Sequence, residues 1–329
     1  ASATDAALVI PFAGITDSGN YDVVVANAFG MVTSSLAALT LTFPNPAQLA
    51  REPAGPSSRR TGLVITEIMY HPAPRADGRD LEFVELYNTN PFFEDIGGWQ
   101  LTGEIEFGFP PGTVLAGTNY LVIAAKPADV IAVYGITNVI GGWRGKLANE
   151  GGRLRLCKAS GGVVLETTYG GGPPWPLGGT GAGHSLVLAR PSFGEDDPRA
   201  WAASANIGGS PGREDPLPNQ PIDSLVVNEL MAAPSPNEPS WIELHNASAR
   251  PVDASGCVIA LNPNGPSFTI PTGTVLGGNE YAIFYETQTG LTLSRAGGRV
   301  FVFNPDRTRA VDAVVFHAPS NGTSQGRTP

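Results

Sequence analysis

A chain of 329 residues, 42% of them apolar and only 15% charged, is long enough for two or three domains with their own cores and too apolar to be disordered. Its net charge of −10 argues against nucleic-acid binding, which needs clustered Lys and Arg, and no apolar run reaches the roughly eighteen residues of a membrane helix. The 41 glycines and 30 prolines suit many turns between short strands, so the composition predicts an all-β chain.

Residues 1–43 alternate apolar and polar positions through Val23 and Val25, turn at Asn27–Gly30, and run on from Val32 to Leu41. Asp17-Ser18-Gly19-Asn20-Tyr21 resembles the tyrosine corner of immunoglobulin-like domains, with Val23 filling core space where a cysteine often stands. Residues 1–43 are therefore expected to be the C-terminal part of such a domain. Residues 44–61, rich in Pro, Ser and Arg without an apolar period, read as a linker. The first full domain is placed at 62–213, with strands at 63–69, 81–88, 98–102, 105–109, 119–125, 153–158, 163–169 and 185–189. Its one helix is expected over 126–134, where Pro127 and Asp129 sit in the first turn and Gly135 follows the end. Trp175 anchors a glycine-rich loop, and Trp201 is expected to clasp the following segment onto the domain. Residues 214–223 form a second linker, and 224–329 a second domain that stops short of its closing segment.

Leu63–Asn88 returns roughly 160 residues later as Leu225–Asn246, a separation that marks a domain-sized duplication. Each copy opens on Glu-Ile-Met or Glu-Leu-Met, passes a proline-rich loop and ends on Glu-Leu-x-Asn. Pro110–Leu115 is echoed by Pro271–Leu276, Tyr120 by Tyr281, Gly151-Gly152-Arg153 by Gly297-Gly298-Arg299, and His184-Ser185 by Thr323-Ser324. The helix has no counterpart in the second copy, and Cys257 stands where the first has Trp99. This ordered set, with Gly98-Trp99-x-Leu101 and the closing Gly-Gly-Ser-Pro-Gly, resembles the lamin tail domain. The resemblance implies tandem immunoglobulin-like β-sandwiches from a bacterial extracellular or cell-surface multidomain protein.

The recurring carboxylates, Glu67 with Glu85 and Glu229 with Glu243, are the leading candidates for chemistry. If their strands pair, each couple could hold a hard cation such as calcium or divide acid and base roles. The plainer expectation is that they bond to Arg153 or Arg299, or to backbone amides of the proline-rich loop. Trp143 and Trp175 are candidates for an exposed platform under a sugar ring, against a role plugging the sandwich ends. The acidic clusters around Asp77–Glu82 and Glu195–Asp197 read as solvated loop charge. Gly178–Ser185 approaches a phosphate-binding loop but has His184 in place of the lysine and a strand where a helix is needed. The four histidines are scattered and read as polar surface, with His245 facing Glu243 on one strand. Asn246-Ala-Ser and Asn321-Gly-Thr read as turns rather than glycosylation sites, and Cys157 and Cys257 as free thiols.

These readings predict a non-catalytic spacer or adhesion region with no obligatory cofactor, whose partners are proteins or surface glycans. The alternatives are a carbohydrate- or calcium-dependent module, or an accessory region of a secreted enzyme.

Overall fold

The computed structural model describes residues 19–27, 30–39, 51–56, 61–216 and 220–327. Residues up to 49 belong to one compact unit and residues 50–327 to another. In the first, β1 (Gly19–Tyr21) pairs with β4 (Ala37–Leu39), and β2 (Val24–Asn27) forms a hairpin with β3 (Gly30–Thr33). Val23, expected in a core, is 62% exposed, and Val24, Val25, Met31 and Val32 around it are exposed as well. The corner anticipated at Asp17–Tyr21 lies partly outside the described residues.

The larger unit holds two sandwiches. The first contains β5 (Leu63–Met69), β6 (Phe83–Asn88), β7 (Glu94–Asp95), β8 (Gln100–Gly103), β9 (Ile105–Gly108), β10 (Val114–Leu115) and β11 (Tyr120–Ala124). Helix α1 (Pro127–Tyr134) follows, then β12 (Val139–Gly141), β13 (Arg144–Gly145), β14 (Gly151–Cys157), β15 (Val163–Gly170), β16 (Leu186–Leu188) and β17 (Trp201–Ala203). One sheet runs β12-β11-β6-β5-β16-β17 and the other β13-β9-β8-β14-β15. Strand alternation turns Ile65, Ile68, Val84, Leu86 and Ile123 of one sheet toward Leu101, Ile105, Leu154, Leu156 and Leu165 of the other.

Helix α1 forms where its punctuation predicts. Pro127 occupies its first turn, Asp129 lies near the N-terminal dipole, and Gly135 closes it at φ 69° with its N–H on Ile131 O. The helix lies on the outer side of the β11–β6–β5 sheet, where Val130 joins Met69, Phe83, Val122 and Ala124 in a second apolar layer. Trp201 is fully buried, and its indole N–H donates to Glu195 O at 2.8 Å, so it does anchor the closing segment.

The second sandwich repeats this plan with fewer strands. It comprises β18 (Leu225–Met231), β19 (Trp241–Asn246), β20 (Val252–Asp253), β21 (Val258–Ala260), β22 (Ser267–Thr269), β23 (Val275–Leu276) and β24 (Tyr281–Tyr285). After these come α2 (Glu286–Thr289), β25 (Gly297–Phe303), β26 (Ala310–His317) and β27 (Gln325–Gly326). Its sheets are β24-β19-β18-β27 and β22-β21-β25-β26. The loop expected to lack a helix holds the single turn α2. Cys257 is fully buried among Ile259, Val300 and Val302, and burial pushes its thiol up to about 11, whereas Trp99 stays half-buried. Both cysteines are free and buried.

Two stretches that composition marks as linkers are tied to the first sandwich. Arg51 pairs with Asp215 at 2.6 Å, and Glu52 N–H donates to Ala189 O at 2.7 Å. Polarity and proline content signalled a tether, but these charges meet partners contributed from distant parts of the chain.

Candidate functional site

The duplicated glutamates sit where each copy's opening strand is interrupted. Between Ile65 and Glu67, and again between Val227 and Glu229, the strand carries a β-bulge. The extra residue shifts the side-chain parity, so Glu67 lands directly opposite Glu85 and Glu229 opposite Glu243. Like charges in such cross-strand positions repel, and the fold must answer them.

The answer in the first copy is a set of donors. The bulge residue Thr66 donates its hydroxyl to Glu85 Oε1 at 2.7 Å, and Gly212 N–H reaches Glu85 Oε2 at 2.5 Å. Glu67 Oε1 accepts from the Ser185 hydroxyl and from Ser210 N–H at 2.9 Å. Both carboxyls are almost fully buried. Desolvation raises the pKa of Glu67, and desolvation followed by the neighbouring Glu67 charge raises that of Glu85. Two such groups hold a proton more readily than a surface glutamate does.

The second copy repeats half of this wiring. Asn228, the bulge residue, donates to Glu243 Oε1 at 2.8 Å, and Ser324 donates to Glu229 Oε1. No counterpart of Ser210 and Gly212 arrives among the described residues, and both glutamates are half-buried. In neither copy are Arg153 or Arg299 the partners. Hydroxyls, an amide side chain and backbone N–H groups take their place, and the amides come from the closing Gly-Gly-Ser-Pro-Gly rather than from the proline-rich loop.

That closing turn is built around Gly209. With φ at 77°, and with Glu67 and Ser185 against the position a Cβ would occupy, only glycine fits there. Beside the pair opens a cleft of about 240 Å³ walled in part by Arg51, Tyr120, Leu188, Arg213 and Asp215. Asp215 is occupied by Arg51, by Ala205 N–H and by the Ser210 hydroxyl at 2.9 Å. Among the described residues no group of three or more His, Cys, Asp or Glu side chains is gathered as a metal ion requires.

The other candidates fall apart spatially. Trp143 is buried in the first core, and Trp175 is half-buried with its ring 6.4 Å from Trp201, so the two do not make an exposed platform. Asp77 is held by Arg75 and Arg79, and Asp197 by Arg199. Gly178–Ser185 leads into strand β16, not a helix. His245 stacks on Tyr281 with centroids 4.3 Å apart instead of bonding Glu243.

Two roles were missed. Asn88 and Asn246, the last residues of the Glu-Leu-x-Asn strands, are fully buried and tie the following turn: Asn88 donates to Phe92 O and Leu115 O, Asn246 to Arg250 O and Gly277 O. Their recurrence was the available signal. His184 is also fully buried: Nδ1–H donates to Ser204 O at 2.8 Å, while Nε2 accepts Ala310 N–H at 2.9 Å from the second sandwich. Desolvation lowers its pKa to about 4, which keeps the ring neutral.

His184 thus belongs to a junction between the copies. Ala182 and Ile207 of the first sandwich pack on Val258, Ala260, Phe301 and Phe303, the outward side chains of β21 and β25. Ile207 N–H of the first sandwich donates to Thr308 O of the second at 2.8 Å.

The Lamin Tail Domain model matches the chain over residues 56–171 and again over 218–320, the two segments that carry the bulges and the glutamates. The chain belongs to the lamin tail domain family. The two matched segments fall on the two sandwiches, and the lamin tail domain is an immunoglobulin-like, non-enzymatic domain type. No curated protein matches the chain. The bulge and the facing glutamates thus recur in both lamin tail domains. Among the described residues no helix is long and apolar enough to cross a membrane.

Proposed function

We propose that this region is a non-catalytic structural and interaction element of a bacterial extracellular or cell-surface protein, holding two lamin tail domains at a set separation. The observation that supports this reading is the junction. A flexible tether between modules needs no buried contact, yet here four apolar side chains of one sandwich are covered by the other, and a buried histidine bridges them. The strongest candidates for catalysis, Glu67 and Glu85, spend their acceptor capacity on the fold's own hydroxyls and amides.

Spin labels on Ser160→Cys and Gln288→Cys, one exposed position in each sandwich, test the reading. A single narrow distance distribution, unmoved by calcium or by a chelator, is expected. A broad distribution would sink the spacer function, and a calcium-dependent change would replace it with a cation-regulated module.

A further inference from the structure

The outer face of the β24–β19–β18 sheet in the second domain has a counterpart in the first, and register aligns them residue by residue. Met69, Phe83 and Ala124 form one cross-strand row in the first domain, and Met231, Trp241 and Tyr285 form it in the second. The next row is Glu67, Glu85 and Val122 against Glu229, Glu243 and Ile283; beyond it Tyr87 and Tyr120 match His245 and Tyr281. In the first domain the first two rows are buried beneath α1 and the closing segment. In the second, Tyr281 is 56% exposed and Ile283 and Tyr285 are each 42% exposed.

The edge differs in the same way. In the first domain β12 adds in parallel to β11, with Val122 N–H on Asn138 O at 3.1 Å and Gly142 N–H on Ala124 O at 2.9 Å. In the second domain β24 is, among the described residues, the last strand of its sheet. Its bonds to β19 are bracketed by Asn246 N–H on Glu280 O and Glu286 N–H on Ser240 O. By alternation the backbone groups of Tyr281, Ile283 and Tyr285 therefore point to the open side. An apolar aromatic face beside an unpaired edge is the geometry of strand addition.

We propose that this face and edge are a docking site for a polypeptide segment that adds as a strand to β24 and lays apolar side chains on Trp241, Ile283 and Tyr285. Charge selects the occupant. Glu229 and Glu243 lie in the middle row and make no ion pair among the described residues. Stacking this face on a second copy would bring four carboxylates together, and an anionic surface would be repelled. A neutral or basic segment of another protein meets neither obstacle. The proposal rests on the reading of this region as an interaction element and gives it a partner class.

The probe is a synthetic, fluorescently labelled peptide of residues 126–142, the helix and strand that cover the equivalent face in the first domain. Added to the whole chain, it is expected to bind saturably at one site and to quench or shift Trp241 emission. Ile283→Asp is expected to weaken binding at least about tenfold, or ~1.4 kcal/mol, with the melting midpoint unchanged. If that variant melts early, Tyr285→Ser serves in its place. N-methylation of the peptide at Gly142, whose N–H carries the ladder bond in the first domain, is expected to abolish binding. No binding at millimolar peptide, or binding that survives the substitution or the methylation, would overturn the proposal. So would a concentration-dependent dimer of the chain that Ile283→Asp dissolves, which would make a second copy the occupant. A narrow spin-label distance without peptide binding would leave the spacer role standing and remove only the docking face.

Discussion

The two lamin tail domains present the same bulge, the same facing glutamates and the same serine reaching back to the first of them, yet among the described residues only the first pair is sealed. In the first domain the chain continues past Ser185, turns at Trp201, and returns over the glutamates to place Ser210 and Gly212 amides on them. In the second, Ser324 arrives, and among the described residues no further segment covers the glutamates. The bulge and its hydroxyl or amide donor orient the carboxylates, whereas burial and its electrostatic consequences come from the covering segment. One sequence motif therefore yields buried, proton-retaining groups in one copy and half-exposed carboxylates in the other.

The largest expected break in this comparison comes from Trp201→Ala. Emptying a fully buried indole site costs about 3–5 kcal/mol. Calorimetry should show the first domain's transition falling while the second's stays, because Trp201 has no counterpart there. Acid tests the junction next. The His184 pKa is depressed to about 4 from an unfolded value near 6.5, so its contribution is present above that ordinary value and is lost as pH falls through the folded one. The loss amounts to about 3 kcal/mol. Hydrogen exchange at Ala310 should quicken below pH 5, and His184→Gln, which keeps an acceptor, should flatten that dependence.

Alkali acts on the carboxylates with the opposite sign. Raised folded pKa values favour the closed segment most at low pH and withdraw that support as the pair ionises. Exchange at Ser210 and Gly212, corrected for its intrinsic pH dependence, should therefore quicken as pH rises from about 4.5 to about 8, and Glu67→Gln should remove most of the slope. Gly209→Ala, which puts a methyl against Glu67 and strains the turn, is expected to cost about 1–3 kcal/mol and to loosen the same two amides at every pH. Glu243→Gln should change the stability of the second domain by less than about 0.5 kcal/mol, since Glu243 is half-exposed. A larger loss there would mean that the second pair is sealed after all.

Much of this architecture was legible before any coordinates. Apolar alternation located β5, β6, β11 and their repeats, and the Pro127, Asp129 and Gly135 signals bounded α1 because capping is local chemistry. That Glu67 and Glu85 lie on paired strands was legible, but their direct facing depends on the bulge at Thr66, which no side-chain pattern announces. Their partners did not follow. Ser210 and Gly212 act through backbone N–H groups, which every residue except proline possesses, so no side-chain pattern marks them. An arginine was the obvious counter-ion on charge grounds, but the fold meets the pair with neutral donors, while burial raises both carboxyls' affinity for a proton. His184 reads as surface because the four histidines stand singly along the chain, and nothing in a glycine-rich loop reveals that the second domain covers it. Arg51 and Asp215 looked like linker residues for the same reason: their encounter spans most of the first domain.

The junction also gives the pair a direction. Val258, Ala260, Phe301 and Phe303 lie on the outward side of the second domain's other sheet, which an isolated immunoglobulin-like module would normally leave polar. Excised on its own, residues 220–327 would present those four side chains together with Tyr281, Ile283 and Tyr285, sticky on both sides. Transplanted ahead of the first domain, it would lose its shelter without gaining another. The order of the two copies thus keeps that face covered, and engineering that shuffles them must supply a new cover for β21 and β25.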